Sequence, residues 1–246
     1  MRKKVAIQVA MKEEGLGLIE SLGLIENEAL DRDFGFRKFH GHFGVNLELI
    51  VLLQGTDSDH HVEQIGLEAA AVCASMIIDR IKPDLLMNFG TSGAYAKNGF
   101  SVGEVVLVES GIQYHDRRVP IPGYRESQLG FYPVSDHSGL KKHLALKTAK
   151  LSSGSSLEMS ERDSEMLQEQ NADIKEMECA AIAWVAMKKK TPFVAIKSVT
   201  DLLDSPERHE DQFIKNLRLA SKNVQQRVIS SLQYLDQNLQ DSIWKF

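Results

Sequence analysis

Cysteine is scarce in this sequence: only Cys73 and Cys179 occur among 246 residues. Two such residues make neither a disulfide framework nor a zinc-ligand cluster. Both sit among alanines in helical patterns, where a free thiol behaves as a small buried hydrophobe. A reducing compartment is the simplest setting. Long apolar runs are also missing, and no segment approaches the ~20 residues needed to span a bilayer. The basic start "MRKKVAIQVAMKEEG" has too short an apolar stretch for a signal peptide and runs into Lys12-Glu13-Glu14. A cytoplasmic protein without a membrane partner is therefore expected.

No charge of one sign dominates. The net charge of −5 argues against a nucleic-acid surface. The one basic block, Lys188-Lys189-Lys190, reads as the cationic end of a helix. There is no Gly-Lys-Ser/Thr phosphate loop and no dinucleotide fingerprint. No Ser or Cys stands in a nucleophile-elbow context, so a hydrolytic triad is unsupported. Repeats, low-complexity tracts and linkers are absent as well.

What is present is ordinary for a globular chain, with 43% hydrophobic and 26% charged residues. One domain over residues 1–246 is expected. Short β-branched runs alternate with helical patterns. "VAIQVA" (5–10), "LELIVLL" (47–53), "PDLLMNFG" (83–90, begun by Pro83 and stopped by Gly90), "EVVLVES" (104–110) and "FVAIKSV" (193–199) read as strands. Val62, Ile65, Ala69, Val72 and Met76 recur at helical spacing, as do Ala180, Ala183, Trp184 and Met187 ahead of Pro192. A long final helix carries a stripe from Phe213 to Leu239. The alternation implies parallel pairing in an α/β sandwich. Residues 116–140 read as a long functional loop.

In open α/β sheets ligands bind beyond the carboxyl ends of the strands. Met11 and Glu14 follow the first strand, the "GTSG" turn (90–93) follows the third, and Thr200 and Asp201 follow "FVAIKSV". Glu178 opens a helix. Each acid has an ordinary explanation: Glu14 and Glu178 as first-turn residues favoured by the helix dipole, Asp201 as the cap of a turn. Their convergence on one end of the sheet is what points to a site. Of the other polar clusters, "DSDHH" (57–61) reads as helix capping by Asp59, and His115-Asp116 as a candidate acid–base pair.

"AMKEE" (10–14), "NFGTSGAY" (88–95), "SVGEVVLVESGIQYHD" (101–116), "LSSGSSLEMS" (151–160), "KEMECAAIAWVA" (175–186) and "AIKSVTDLLD" (195–204) together resemble the 5′-methylthioadenosine/S-adenosylhomocysteine nucleosidases of the nucleoside phosphorylase-like superfamily. "HDRRVPIP" (115–122) is similar to the plant-type branch. The resemblance implies a three-layer α/β sandwich with a central mixed, mostly parallel sheet flanked by helices. It implies hydrolysis of a purine N-glycosidic bond, in methionine salvage, with no metal and no organic cofactor. Asp201, with Thr200 beside it, would protonate the base at N7, and Glu14 would activate water. Glu178 would hold the ribose hydroxyls, with Met177 under the sugar and Thr91 near the water. Leu157 would stack on the base, the backbone at Glu158 would read its edge, and Phe213 would line the 5′ pocket. Ile121 and Pro122 would be lent to a neighbour's site, which implies a homodimer. Their apolar character favours methylthioadenosine over S-adenosylhomocysteine. The chain departs from the family pattern at Ser153-Gly154-Ser155, where relatives end in Asp, and in "LLQGTDSDHH". A futalosine-type hydrolase, a phosphate-dependent phosphorylase and an inactive nucleoside-binding protein are the alternatives.

Overall fold

A computed structural model describes residues 2–246. Its elements run β1 (Lys3–Val9), α1 (Lys12–Ser21), β2 (Ile25–Asp31), β3 (Phe36–Phe43), β4 (Leu47–Leu53), α2 (Leu67–Met76), β5 (Leu85–Ala94), β6 (Val105–Val108), β7 (Gln113–Tyr114), α3 (Arg125–Leu129), α4 (Ser138–Leu144), β8 (Lys147–Ala149), β9 (Leu151–Ser153), α5 (Glu161–Glu169), β10 (Ile174–Glu176), α6 (Cys179–Lys188), β11 (Phe193–Leu202) and α7 (His209–Gln237). The strands form one mixed sheet. β1 runs parallel to β4 and β5, β5 parallel to β11, β6 parallel to β8 and β10 parallel to β9, while β3 meets β2 and β4, β6 meets β11 and β10 meets β5 antiparallel.

Alternation along the strands fills two cores. Val5, Ile7 and Val9 of β1, with Leu85, Met87 and Phe89 of β5, face α1 and α7. Ala6 and Leu86 face the opposite layer, built from α2 and α6. A strand covered on both faces must be apolar at successive positions, which explains runs such as "LELIVLL". α7 presents Ala220, Val224, Val228, Leu232 and Leu235 to the sheet at helical spacing. Cys73 and Cys179 are free and buried, and α6 ends at Lys188 as the basic block implied. Among the described residues no helix is long and apolar enough to cross a membrane.

Several expectations change. Residues 90–93 are not a turn: β5 continues through them to Ala94 and is buried throughout. The ladder with β11, from Phe193↔Leu86 to Leu202↔Ala94, carries the chain past both glycines. By the same pairing Thr200 and Asp201 lie inside β11, not after it. Val62 and Ile65 are exposed loop residues. Gly66, with φ of 100°, breaks the helical path, so α2 starts at Leu67 and buries Leu67, Ala70, Cys73 and Ala74. Asp59 caps no helix; Asp57 instead accepts from the backbone N–H groups of Asp59 and His60. Trp184, expected on the apolar face of α6, is 42% exposed.

The site follows from a gap in the sheet. β1 pairs with β5 only as far as Gln8↔Asn88. β10 takes over the same edge at Lys175↔Gly93. Between these pairings, residues 89–92 have no ladder partner on that side. On the other side, β11 carries a bulge: Val199 faces Ser92 and Asp201 faces Gly93, with Thr200 as the extra residue. A bulge re-aims the side chains next to it.

Candidate active site

The gap opens into a cleft whose space, open mouth included, is about 670 Å³. Ala10, Met11 and Glu14 reach it from the end of β1. Thr91, Ser92 and Gly93 form its floor, and Lys175 to Glu178 come from the end of β10. Thr200, Asp201, Leu157, Phe213 and Ile65 complete it. Eight residues expected from the sequence thus converge: Glu14, Thr91, Leu157, Met177, Glu178, Thr200, Asp201 and Phe213. The Glu158 side chain is not part of the lining. Ile121 and Pro122 lie outside the cleft of their own chain and are exposed.

Glu14 fills the gap in the ladder. The Thr91 N–H, free of a strand partner, donates to Glu14 Oε1 at 2.7 Å, and the Thr91 hydroxyl donates to the same oxygen at 2.8 Å. The Met11 N–H donates to Oε2 at 3.3 Å, which makes the acid part of its helix cap as well. The ordinary reading of Glu14, an acid in the first turn of its helix, therefore applies. Burial pushes its carboxyl above the usual value of 4.5, against the pull of Lys197 and these donors.

Asp201 Oδ1 lies 2.8 Å from the Thr200 hydroxyl, which also reaches the Ser92 carbonyl at 3.2 Å. In the first contact the Thr200 hydroxyl donates and Asp201 Oδ1 accepts. Glu178, at the head of α6, accepts the Gly66 N–H at 2.8 Å. Burial raises its carboxyl and the neighbouring Glu176 adds to the rise, while Lys197 opposes it.

The two glycines of "GTSG" make room for two acids. A Cβ on Gly90 would stand 2.9 Å from Glu14 Oε1, and one on Gly93 would stand 2.6 Å from Asp201 Oδ2. Gly93→Ala is expected to displace the Asp201 carboxylate and lower kcat, with overpacking costing about 1–3 kcal/mol of stability. Steady-state kinetics and chemical denaturation on one preparation check this. Unchanged kcat would show that the close approach is unimportant.

Two lysines and an acid were not legible as site residues. Lys197, fully buried in β11, pairs with Glu176 at 2.8 Å. Burial works against its charge, but Glu176 and its neighbours hold the ammonium above the usual range. Glu176 also accepts the N–H groups of Glu178 and Cys179 and the hydroxyl of Ser153, so it anchors the start of α6. Lys175 donates to the carbonyls of Ser156 at 2.7 Å, Leu157 at 3.0 Å and Glu158 at 3.4 Å. It pins the segment from which Leu157 lines the cleft, and burial lowers its basicity. The available signal was a lysine inside the apolar run "FVAIKSV". His115 and Asp116 do not form an acid–base pair here. His115 is buried, which together with Lys175 pushes it down to about 4, and Asp116 accepts the Ser155 N–H.

A sheet interrupted at its central strand, with carboxylates gathered in the interruption, defines an α/β enzyme class that handles small polar ligands at the switch point. The model of the phosphorylase superfamily matches residues 4–233, and the chain belongs to that superfamily, in its 5′-methylthioadenosine/S-adenosylhomocysteine nucleosidase family. A 5′-methylthioadenosine nucleosidase of Arabidopsis thaliana is 32% identical over 240 residues, 96% of this chain and 89% of the relative. A 5′-methylthioadenosine/S-adenosylhomocysteine nucleosidase of the same plant is 32% identical over 229 residues, 92% of this chain and 89% of the relative. The solved apo structure of an Arabidopsis thaliana 5′-methylthioadenosine nucleosidase superposes with a TM-score of 0.92, at 31% identity, over 95% of this chain and 96% of that one.

Proposed function

We propose that the protein hydrolyses the N-glycosidic bond of 5′-methylthioadenosine to adenine and the 5′-thioribose, as a single domain over residues 1–246. The observation that carries the reading is the pair of buried carboxylates, Glu14 and Asp201, which line one cleft and are contacted by Thr91 and Thr200. Asp201 delivers a proton to N7 and makes the purine a neutral leaving group. The sugar then carries oxocarbenium character. Glu14 takes the proton of the attacking water, and Glu178 holds the ribose hydroxyls over Met177. Leu157 and the Glu158 backbone receive the base.

Water is favoured over phosphate by charge. Among the described residues the cleft lining has no arginine. Lys175 is committed to three carbonyls and Lys197 to Glu176. Neither leaves a free cation for an anionic nucleophile, and Glu14 would repel one.

The exposed Ile121, Tyr124 and Phe131 support a homodimer in which Ile121 and Pro122 close the partner's 5′ pocket. We place the enzyme in the cytoplasm, in methionine salvage. A methylthio group suits the apolar pocket of Met11, Ile65 and Phe213, whereas a homocysteine tail would enclose an amine and a carboxylate. Methylthioadenosine, S-adenosylhomocysteine and inosine, each with and without phosphate, are the test substrates, with free base as the readout. The expected result is phosphate-independent adenine release, with a higher kcat/KM for methylthioadenosine. Phosphate dependence would overturn the hydrolase, and equal values for the two adenosine substrates would overturn the apolar-pocket argument.

A further inference from the structure

Hydrolysis as proposed leaves its protons in the wrong place. The proton that Asp201 gives to N7 departs with the neutral base. The proton taken from water ends on Glu14. No proton is consumed overall, yet Asp201 must regain one and Glu14 must lose one before the next cycle. The Asp201 side chain is only 5% exposed, so bulk water reaches it poorly.

His209 stands at that point. Its Nδ1 lies 3.6 Å from Asp201 Oδ2, a small side-chain adjustment from a hydrogen bond. Nδ1 is buried and has no hydrogen-bond partner, whereas the His209 side chain as a whole is 18% exposed. One edge of the ring thus faces the acid and the rest reaches solvent. Oδ1 of Asp201 is engaged by Thr200, and among the described residues Oδ2 has no donor other than this ring.

The placement is built into the start of α7. His209 and Phe213 are one turn apart on the same helix face, and Phe213 lines the cleft. Between them, Gln212 accepts the Leu202 N–H at 3.0 Å and donates to the Glu207 carbonyl at 2.9 Å. This ties the first turn of α7 to the end of β11, the strand that carries Asp201. An unpartnered buried nitrogen is costly to keep.

We propose that His209 is the proton relay that reloads Asp201 between turnovers. It acts through that carboxylate and not on the nucleoside, and the proposal rests on the nucleosidase reading above. The outer ring nitrogen takes a proton from solvent while Nδ1 passes its own to Asp201 Oδ2. The ring is left neutral and exchanges with water to return to its starting tautomer. Glu14 releases its proton to bulk solvent, which closes the balance. Imidazole suits this role because it gains and loses protons near neutral pH.

The test compares His209→Ala and His209→Gln with the wild type, each first checked for folding by thermal melting. With enzyme in excess over methylthioadenosine, the first turnover should proceed at the wild-type rate, because the relay acts only after Asp201 has given its proton to N7. With substrate in excess, adenine should appear as a burst equal to the enzyme concentration, followed by a steady rate lowered about tenfold. Added imidazole should restore the steady rate of His209→Ala in a concentration-dependent way. A first turnover slowed as much as the steady rate would make His209 a packing residue and overturn the relay. Wild-type steady rates in both variants, or a slowed steady rate that imidazole does not restore, would overturn it equally. Failure of the wild type itself to release adenine would instead remove the nucleosidase reading beneath it.

Discussion

Asp201→Asn is expected to lose about 10²–10⁴-fold in kcat while still binding the nucleoside. The substitution keeps the shape of the side chain and its contact with Thr200, but removes the ionisable proton. Purine loss needs that proton because an unprotonated base leaves as an anion. Adenine release measured by chromatography gives the rate, and calorimetric titration with a non-hydrolysed analogue gives the affinity. Turnover close to wild type would remove Asp201 from the acid role. Lost binding together with lost turnover would make it a recognition group.

Glu14→Gln should be as inactive, and also more stable. Inactivity follows because the amide cannot take a proton from water. Stability follows from burial. The folded-state pKa of Glu14 is raised above the unfolded value of 4.5. A raised acid favours folding most fully below its unfolded pKa, and this contribution is lost as pH rises through the folded one. The wild type is therefore handicapped at neutral pH, and the glutamine variant is not. The difference should vanish near pH 4 and grow towards neutrality. A gain of about 1 kcal/mol would raise Tm by about 2–4 °C at this chain length. Melting curves across that range decide. An equal or lower Tm at neutral pH would mean that the Thr91 and Met11 donors stabilise the carboxylate enough to offset burial.

The sequence made the acids visible but hid their setting. Glu14, Glu178 and Asp201 stood out because carboxylates at the ends of apolar runs are uncommon without partners. The "GTSG" stretch was misread because glycine ordinarily punctuates a strand, whereas here Gly90 and Gly93 continue it and clear space for Glu14 and Asp201. Nothing local encodes that use, since the crowding atoms come from residues distant in the chain. The same holds for Lys175, whose three carbonyl partners lie 17 to 19 positions earlier. Val62 and Ile65 fitted a helical period by chance, and the positive φ of Gly66 decided otherwise. His209 looked like any polar residue at the start of a helix, and only the fold of β11 against α7 brings it to Asp201.

The Lys197–Glu176 pair has a consequence for how this chain can change over time. Both charges are fully enclosed, so removing either one leaves the other unpaired, at a cost of about 3–5 kcal/mol. That is a large share of the ~5–15 kcal/mol that keeps a domain folded. Either position alone is therefore nearly frozen to single substitutions. Both could change together to a well-packed apolar pair at little cost to the fold, but Glu176 also anchors the head of α6 where Glu178 sits. The route by which drift could rewrite this pair thus passes through variants that are either unfolded or stripped of the anchor at the head of α6. A charge pair of this kind acts as a ratchet on the lineage: easy to inherit, hard to exchange, and a physical source of epistasis between two strands that are not neighbours in the sheet.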